Sequence, residues 1–343
     1  MKKQLLLSFV VALSANLSAQ NVGIGTTTPV SKFSVGNNSQ FQVDSVGNIK
    51  SINNVPYSFP NMQASSGQIL SNNGSGILSW VNQLGGWSLT GNAGNPPGYF
   101  IGTTDTMPLY FRVNNVQSGK LDQVKANVFM GSYAGGNIAT GDGNSGIGFN
   151  SLTSLTSGTS NSAIGTNSLR NNTTGSSNVA IGANAIYTNT VGSSITAIGS
   201  SALYANTSGS SNTAVGANSL ISNTQGNSNT ALGNNSMYNN TLGGSNTSVG
   251  VSSMYSNTIG ASNTAMGNGA LYKNVNGSTN TAIGSSALYY ATSNANTAVG
   301  ANALFTLTYG ENNTALGNNA DISFDSLNNT TTLGYAAIST GNN

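Results

Sequence analysis

Asn212-Thr213-Ala214-Val215-Gly216-Ala217-Asn218-Ser219-Leu220 is followed, 17 residues on, by Asn229-Thr230-Ala231-Leu232-Gly233-Asn234-Asn235-Ser236-Met237. The same phrase returns at Asn246-Thr247-Ser248-Val249-Gly250, Asn263-Thr264-Ala265-Met266-Gly267 and Asn280-Thr281-Ala282-Ile283-Gly284. Tracking the glycine after the aliphatic outward in both directions gives Gly131, Gly148, Gly165, Gly182, Gly199, Gly216, Gly233, Gly250, Gly267, Gly284, Gly300, Gly317 and Gly334. Eleven of the twelve steps are 17 residues and one is 16. Self-similarity at a fixed short period is the signature of a solenoid, in which each unit buries its apolar side only by stacking on its neighbours.

The units are full of Asn, Thr, Ser and Gly, which disfavour helix and suit turns and strands, so the coil is expected to be β. A 17-residue coil has room for two strands of about four or five residues and two turns. Twelve steps at about 4.8 Å then make a rod on the order of 60 Å long. All thirteen residues preceding the glycines are apolar, from Met130 to Leu333, and the fourth residue after is apolar in eleven, with Gly135 and Asp321 the exceptions. These two aliphatics are five apart, an odd interval that puts them on opposite faces of a flat strand. Either the chain bends between them, or one fills the coil while the other meets a partner. A coil this thin is marginal alone, and association is expected, most simply as a parallel homotrimer.

Ten residues after most of the first glycines a second one recurs, as at Gly209, Gly226, Gly243, Gly260 and Gly277. In the 16-residue unit this position falls on Asn294. Asparagine tolerates the left-handed conformation, so a left-handed backbone role is expected there. Tyr187, Tyr204, Tyr238, Tyr255, Tyr272 and Tyr289, with Phe305, follow the second aliphatic and form an aromatic column. The column reads either as a contact stripe for sugars or proteins or as self-stacking and packing, the latter favoured. The threonine column from Thr213 to Thr314 divides the same way between ice binding and satisfaction of backbone groups.

The rest of the chain falls into three parts. Residues 1–19 carry Lys2 and Lys3, an apolar core from Leu5 to Leu13 and Ser18-Ala19 before Gln20, the layout of a secretory signal peptide; the apolar run is too short to span a bilayer. Residues 20–60 alternate apolar and polar through Phe33-Ser34-Val35 and Phe41-Gln42-Val43, with turns at Gly36-Asn37-Asn38 and Gly47-Asn48, and read as short strands in tight hairpins. Residues 61–126 read as hairpin connectors, with strand candidates at Gln68-Ile69-Leu70, Ile77-Leu78-Ser79-Trp80, Tyr99-Phe100-Ile101 and Leu109-Tyr110-Phe111-Arg112-Val113, and a joint at Gly85-Gly86-Trp87. Lys120, Asp122 and Lys125 gather charge that is read as a solvated connector. The array occupies 127–343.

Of 343 residues only 5% are charged, and the formal net charge of +2 falls to zero (seven basic, seven acidic) once Lys2 and Lys3 are removed with the leader. A neutral chain offers nucleic acid or anionic membrane no electrostatic footprint. Without histidine or cysteine the commonest general base and metal ligand are missing, and no disulfide is possible. Asp142, Glu311, Asp321 and Asp325 are too sparse for paired carboxylates or for a calcium ligand in every turn. No catalytic residue, cofactor or metal site is therefore expected.

The phrase Asn-Thr-Ala-Val-Gly-x-x-(Ala/Ser)-Leu resembles the head repeats of trimeric autotransporter adhesins over about Asn127 to Asn343, with a longer repeat. The opening Asn21-Val22-Gly23-Ile24-Gly25-Thr26, with Gly47-Asn48-Ile49 and Leu78-Ser79-Trp80, is similar to secreted Gram-negative fibre proteins related to phage tail fibres. The resemblance implies a parallel β-roll in each of three chains, displayed outside a Gram-negative cell, with glycans or host, matrix or cell-surface proteins as partners. No coiled-coil stalk, membrane anchor barrel or self-cleaving chaperone follows, and Gly341-Asn342-Asn343 reads as the turn into another coil, so either a fragment or a protein whose cap is provided by something else is expected. Asp44-Ser45-Val46, Asp105-Thr106-Met107 and Asp325-Ser326-Leu327 resemble an O-glycosylation motif of some Gram-negative periplasms. The expected function is a secreted or surface-attached fibrous adhesin, with a phage-like tail-fibre component and an ice-binding solenoid as alternatives.

Overall fold

The computed structural model describes residues 22–24, 33–35, 40–45, 47–53, 55–60, 62–66, 68–82 and 100–341. The expected signal peptide, the expected turn at Gly36-Asn37-Asn38, the expected joint at Gly85-Gly86-Trp87 and Asn342-Asn343 lie outside them. The chain divides into two compact units, 1–101 and 102–343.

The first unit holds a five-stranded sheet of β1 (Val22–Ile24), β2 (Phe33–Val35), β3 (Phe41–Val43), β4 (Ile49–Ile52) and β5 (Val55–Pro56) in sequence order. β2 to β5 pair antiparallel, as hairpins require, but β1 pairs parallel with β2. Asn53 takes φ 52 at the turn between β4 and β5. A separate hairpin, β6 (Gln68–Asn72) with β7 (Leu78–Asn82), closes through Asn72-Asn73-Gly74, whose asparagine side chains accept from the turn amides of Gly74 and Ser75. Phe100 and Ile101 form no strand, contrary to the expectation.

The second unit is an all-β parallel solenoid of about twelve turns with a 17-residue period. It opens on the antiparallel hairpin β8 (Leu109–Val113) and β9 (Val116–Asp122), continues through β10 (Asn127–Met130), and then stacks eleven three-residue strands, β11 to β21, from Ser145–Ile147 to Thr314–Leu316. β22 (Asp321–Ile322) pairs with β24 (Ile338–Ser339), and β23 (Thr331–Leu333) extends the main sheet. Up to β20 each coil contributes one short strand where two longer ones were expected, and only the last two add a second one in β22 and β24; the other sides are turns whose amides still bond the next coil, as Leu220 N does to Ser236 O at 3.0 Å.

The hairpin caps the solenoid, and its charges do the fastening. Lys120 pairs with Asp122 at 3.0 Å, Asp122 accepts from Lys125 N, and Lys125 Nζ donates to Ala139 O in the first coil. These three residues are a clasp rather than the solvated connector read from the sequence. Gly135, an exception to the aliphatic pattern, is explained by Phe129: the fully buried ring fills the first coil and lies 2.5 Å from where a Cβ would sit.

The coil interior resolves the odd five-residue interval. In the strand Thr213-Ala214-Val215 only Ala214 points inward, and the alanine column from Ala163 to Ala315 is fully buried with Ser248 as one rung. Val215 and its counterparts therefore face out, while Leu220 and its counterparts from Leu152 to Leu304 are fully buried against the alanines. The chain reaches this arrangement by a bend carrying left-handed residues on either side of position 219, with Asn218 at φ 58 and Leu220 at φ 50. A left-handed leucine costs roughly 1–2 kcal/mol, and burying its side chain returns roughly 1.5–3 kcal/mol, so burial wins in each coil.

Candidate functional site: the columns of the solenoid

Every position of the repeat becomes a column, and the columns divide into those spent inside the coil and those presented outward. Two asparagine columns are spent inside. Asn212 Nδ2 donates to Gly226 O at 2.7 Å and its Oδ1 accepts from Asn229 N at 2.9 Å; Asn229, Asn246, Asn263 and Asn280 repeat the pattern. The second column runs from Asn172 to Asn274, each Nδ2 from Asn189 on reaching the Oδ1 one coil back at 2.7–2.9 Å. All of these side chains are essentially inaccessible to solvent. In the sequence they count only among the residues that suit turns and strands. Their signal was present, since the same Asn recurs at two fixed positions per period, but an amide that pairs with its own copy in the next coil has the same spacing as one that caps a turn.

The first glycines lie at φ +113 to +140, and a Cβ on Gly216 would meet Gly233 O at 2.5 Å. Both the backbone angle and the stacking of one coil on the next exclude a side chain. The second glycines are different: Gly226 does not take a positive φ, and what excludes a side chain is Gly243 O and Asn223 Oδ1, both 2.4 Å from where a Cβ would sit. The 16-residue coil confirms this and corrects the assignment of Asn294. Ser293 takes the glycine's place, its carbonyl accepting from Asn280 Nδ2 at 2.7 Å, and Asn294 Oδ1 accepts from Ser278 N just as Asn227 Oδ1 does from Ser210 N. The residue deleted is the exposed one after the threonine, and no left-handed asparagine is needed.

The two threonine columns have opposite fates. Thr173, Thr190, Thr207, Thr224 and Thr241 each donate Oγ1 to the carbonyl of the next coil at 2.9–3.1 Å, which fastens the stack. On the strand, Thr213, Thr230, Thr247, Thr264, Thr281, Thr297 and Thr314 lie in register and point outward. Among the described residues their hydroxyls have no side-chain hydrogen bond. Beside them runs the aliphatic column, ten of whose thirteen members, Met130 and Ile147 to Leu333, are 37–64% exposed.

The predicted aromatic column forms two stacks. Tyr187 and Tyr204 lie 5.0 Å apart, and Tyr238, Tyr255, Tyr272 and Tyr289 follow at 5.0, 5.1 and 5.0 Å with ring planes within 13°, continuing to Phe305 at 5.5 Å. Ile221 separates the two stacks. Arg170 sits over Tyr187 and donates to its hydroxyl, and Lys273 lies over Tyr272. The ring faces are spent on one another, so the column offers edges and hydroxyls rather than the faces a sugar stacks upon.

Acidic residues do not gather. Asp321 replaces the buried aliphatic near the last coils and accepts from Thr306 N and Thr306 Oγ1; burial raises its carboxyl, against those hydrogen bonds. Among the described residues no cluster of His, Cys, Asp or Glu could hold a metal ion, and no helix is long and apolar enough to cross a membrane. Ser45, Thr106 and Ser326 of the glycosylation-like motifs are exposed. Comparison with protein-family models, with curated proteins and with solved structures gives no match.

Proposed function

We propose that the chain is an exported, non-enzymatic fibrous protein of the adhesin kind, in which the solenoid is both spacer and contact surface and three parallel copies pack along the aliphatic column. The observation that carries this is the outward column itself. Ten side chains that are 37–64% exposed follow one line down the rod, giving an apolar strip on the order of 800 Å². That is above the few hundred Å² that monomers usually expose and close to what one partner contributes to a standard interface. A straight, in-register strip lets parallel copies meet at the same height, so self-association covers it along its whole length.

Attachment to glycans or to host, matrix or other cell-surface proteins then falls to the faces that assembly leaves open. Deleting 127–343 in the native cell is expected to abolish attachment to such surfaces, and unchanged attachment would refute the adhesin reading. A second reading, an ice-binding solenoid, draws on the register of outward threonine hydroxyls without partners in the chain. Thermal hysteresis of the purified protein distinguishes it: a freezing-point gap supports ice binding, and its absence removes that reading.

A further inference from the structure

We infer that the tyrosine stacks are oxidative cross-linking sites, at which phenols of consecutive coils couple into dityrosine and staple the solenoid along its axis. This does not depend on the adhesin reading. The chain has no cysteine, so no disulfide can perform this role. In its place six tyrosines stand in register one coil apart, Tyr187 with Tyr204 and the run Tyr238, Tyr255, Tyr272 and Tyr289. Neighbouring ring centroids are 5.0–5.1 Å apart and the ring planes 2–13° from parallel, so consecutive phenols are stacked as adjacent pairs. The rings are half-buried, which leaves their edges open to an oxidant.

The chemistry closes with hydrogen peroxide and a haem peroxidase as the oxidising pair. Each of two adjacent phenols gives up one electron and its hydroxyl proton; the two phenoxyl radicals join through ortho carbons, and the two ring hydrogens at those carbons move as protons while the rings regain aromaticity and their hydroxyls. The net change is loss of one hydrogen from each ring and conversion of one hydrogen peroxide to two waters. Burial raises the Tyr289 phenol, with Tyr272 and Tyr290 adding to it, so that ring enters the reaction neutral. Tyr290 meets Tyr289 edge-on at 72° and lacks the parallel geometry. A bond between consecutive coils closes a 17-residue loop in the unfolded chain and opposes its unfolding as a disulfide of that span does.

The test is to treat the folded full chain with haem peroxidase and hydrogen peroxide and to follow dityrosine fluorescence, intact mass and the migration of the denatured chain. Up to three bonds are expected within one chain, one in the first stack and two in the run, each lowering the mass by two hydrogens. They should map to tyrosines 17 residues apart and raise the unfolding midpoint. The double variant Tyr255→Phe/Tyr289→Phe keeps the aromatic stack but leaves only the Tyr187–Tyr204 pair, so the yield should fall to about one third. Absence of dityrosine in the folded chain, bonds only between chains, the same yield in the double variant, or the same pairs in urea-unfolded chain would each overturn the inference.

Discussion

Replacing Asn223 by leucine tests what holds the coils together. Asn223 Nδ2 donates to Asn206 Oδ1 at 2.8 Å and to Gly226 O at 3.1 Å, while its Oδ1 accepts from Asn240 Nδ2 at 2.8 Å. Leucine has nearly the same shape, and Leu155 and Leu307 already occupy the equivalent position in the second coil and in a late one, both fully buried. The steric cost is therefore small. Gly226 O keeps its bond from Asn212 Nδ2, but Asn206 Oδ1 and one hydrogen of Asn240 Nδ2 are left without partners in a dry interior. At roughly 1–3 kcal/mol for each buried orphan, Asn223→Leu should cost about 2–6 kcal/mol.

The end of the same column supplies the internal control. Asn274 Oδ1 has no partner, because Ala291 stands where the next asparagine would be. Asn274→Leu orphans Asn257 Oδ1 but removes an orphan that is already there, and Gly277 O keeps its bond from Asn263 Nδ2. The change should cost no more than about 2 kcal/mol, one lost pair of bonds without a net gain in unsatisfied groups. Urea denaturation of both variants beside the parent reads the difference directly. Equal losses, or a loss below about 1 kcal/mol for Asn223→Leu, would refute the account of the column as a continuous hydrogen-bonded ladder.

Gly233→Ala meets both a φ of +136° and the Gly250 carbonyl 2.4 Å from its new Cβ, and should destabilise by about 3 kcal/mol or more, visible as loss of soluble folded protein or a large drop in melting temperature. Leu232→Glu with Met266→Glu changes only outward side chains, so the circular-dichroism spectrum of the fold should persist while the proposed trimer gives way to the sedimentation coefficient of a single chain. At the cap, burial would raise the Asp122 carboxyl, but Lys120 and the Lys125 amide outweigh it and hold the carboxyl below its ordinary 3.8. A depressed carboxyl contributes stability that is full above the unfolded value and lost as pH falls through the folded one. Asp122→Asn should therefore lower the melting temperature at pH 7 and make little difference near pH 2.

The period, the strict glycine column and the all-β class were legible in the sequence because each follows from a count: a repeat of 17, a fixed glycine and residues that refuse helix. The paired aliphatics also spoke, since their odd spacing left open that one fills the coil and the other faces out, and Leu220 and Val215 take those two places. Less visible was anything decided by contact between coils. Asn223 is buried only because Asn206 and Asn240 sit above and below it, and nothing in its local sequence separates it from exposed Asn227. Gly226 and Gly216 look alike in the chain, yet one is required by a neighbouring carbonyl alone and the other by its backbone angle as well. Lys120, Asp122 and Lys125 looked like a solvated patch because the carbonyl that completes their clasp belongs to Ala139, a turn away in the first coil.

Sedimentation equilibrium of the full chain at neutral pH tests the proposal that copies of the chain pack along the aliphatic column. The chain as a single copy has a mass of 34.6 kDa. A particle of three chains, dissociating when Leu232 and Met266 become glutamate, is the predicted result; a stable monomer with the column open to solvent would contradict it.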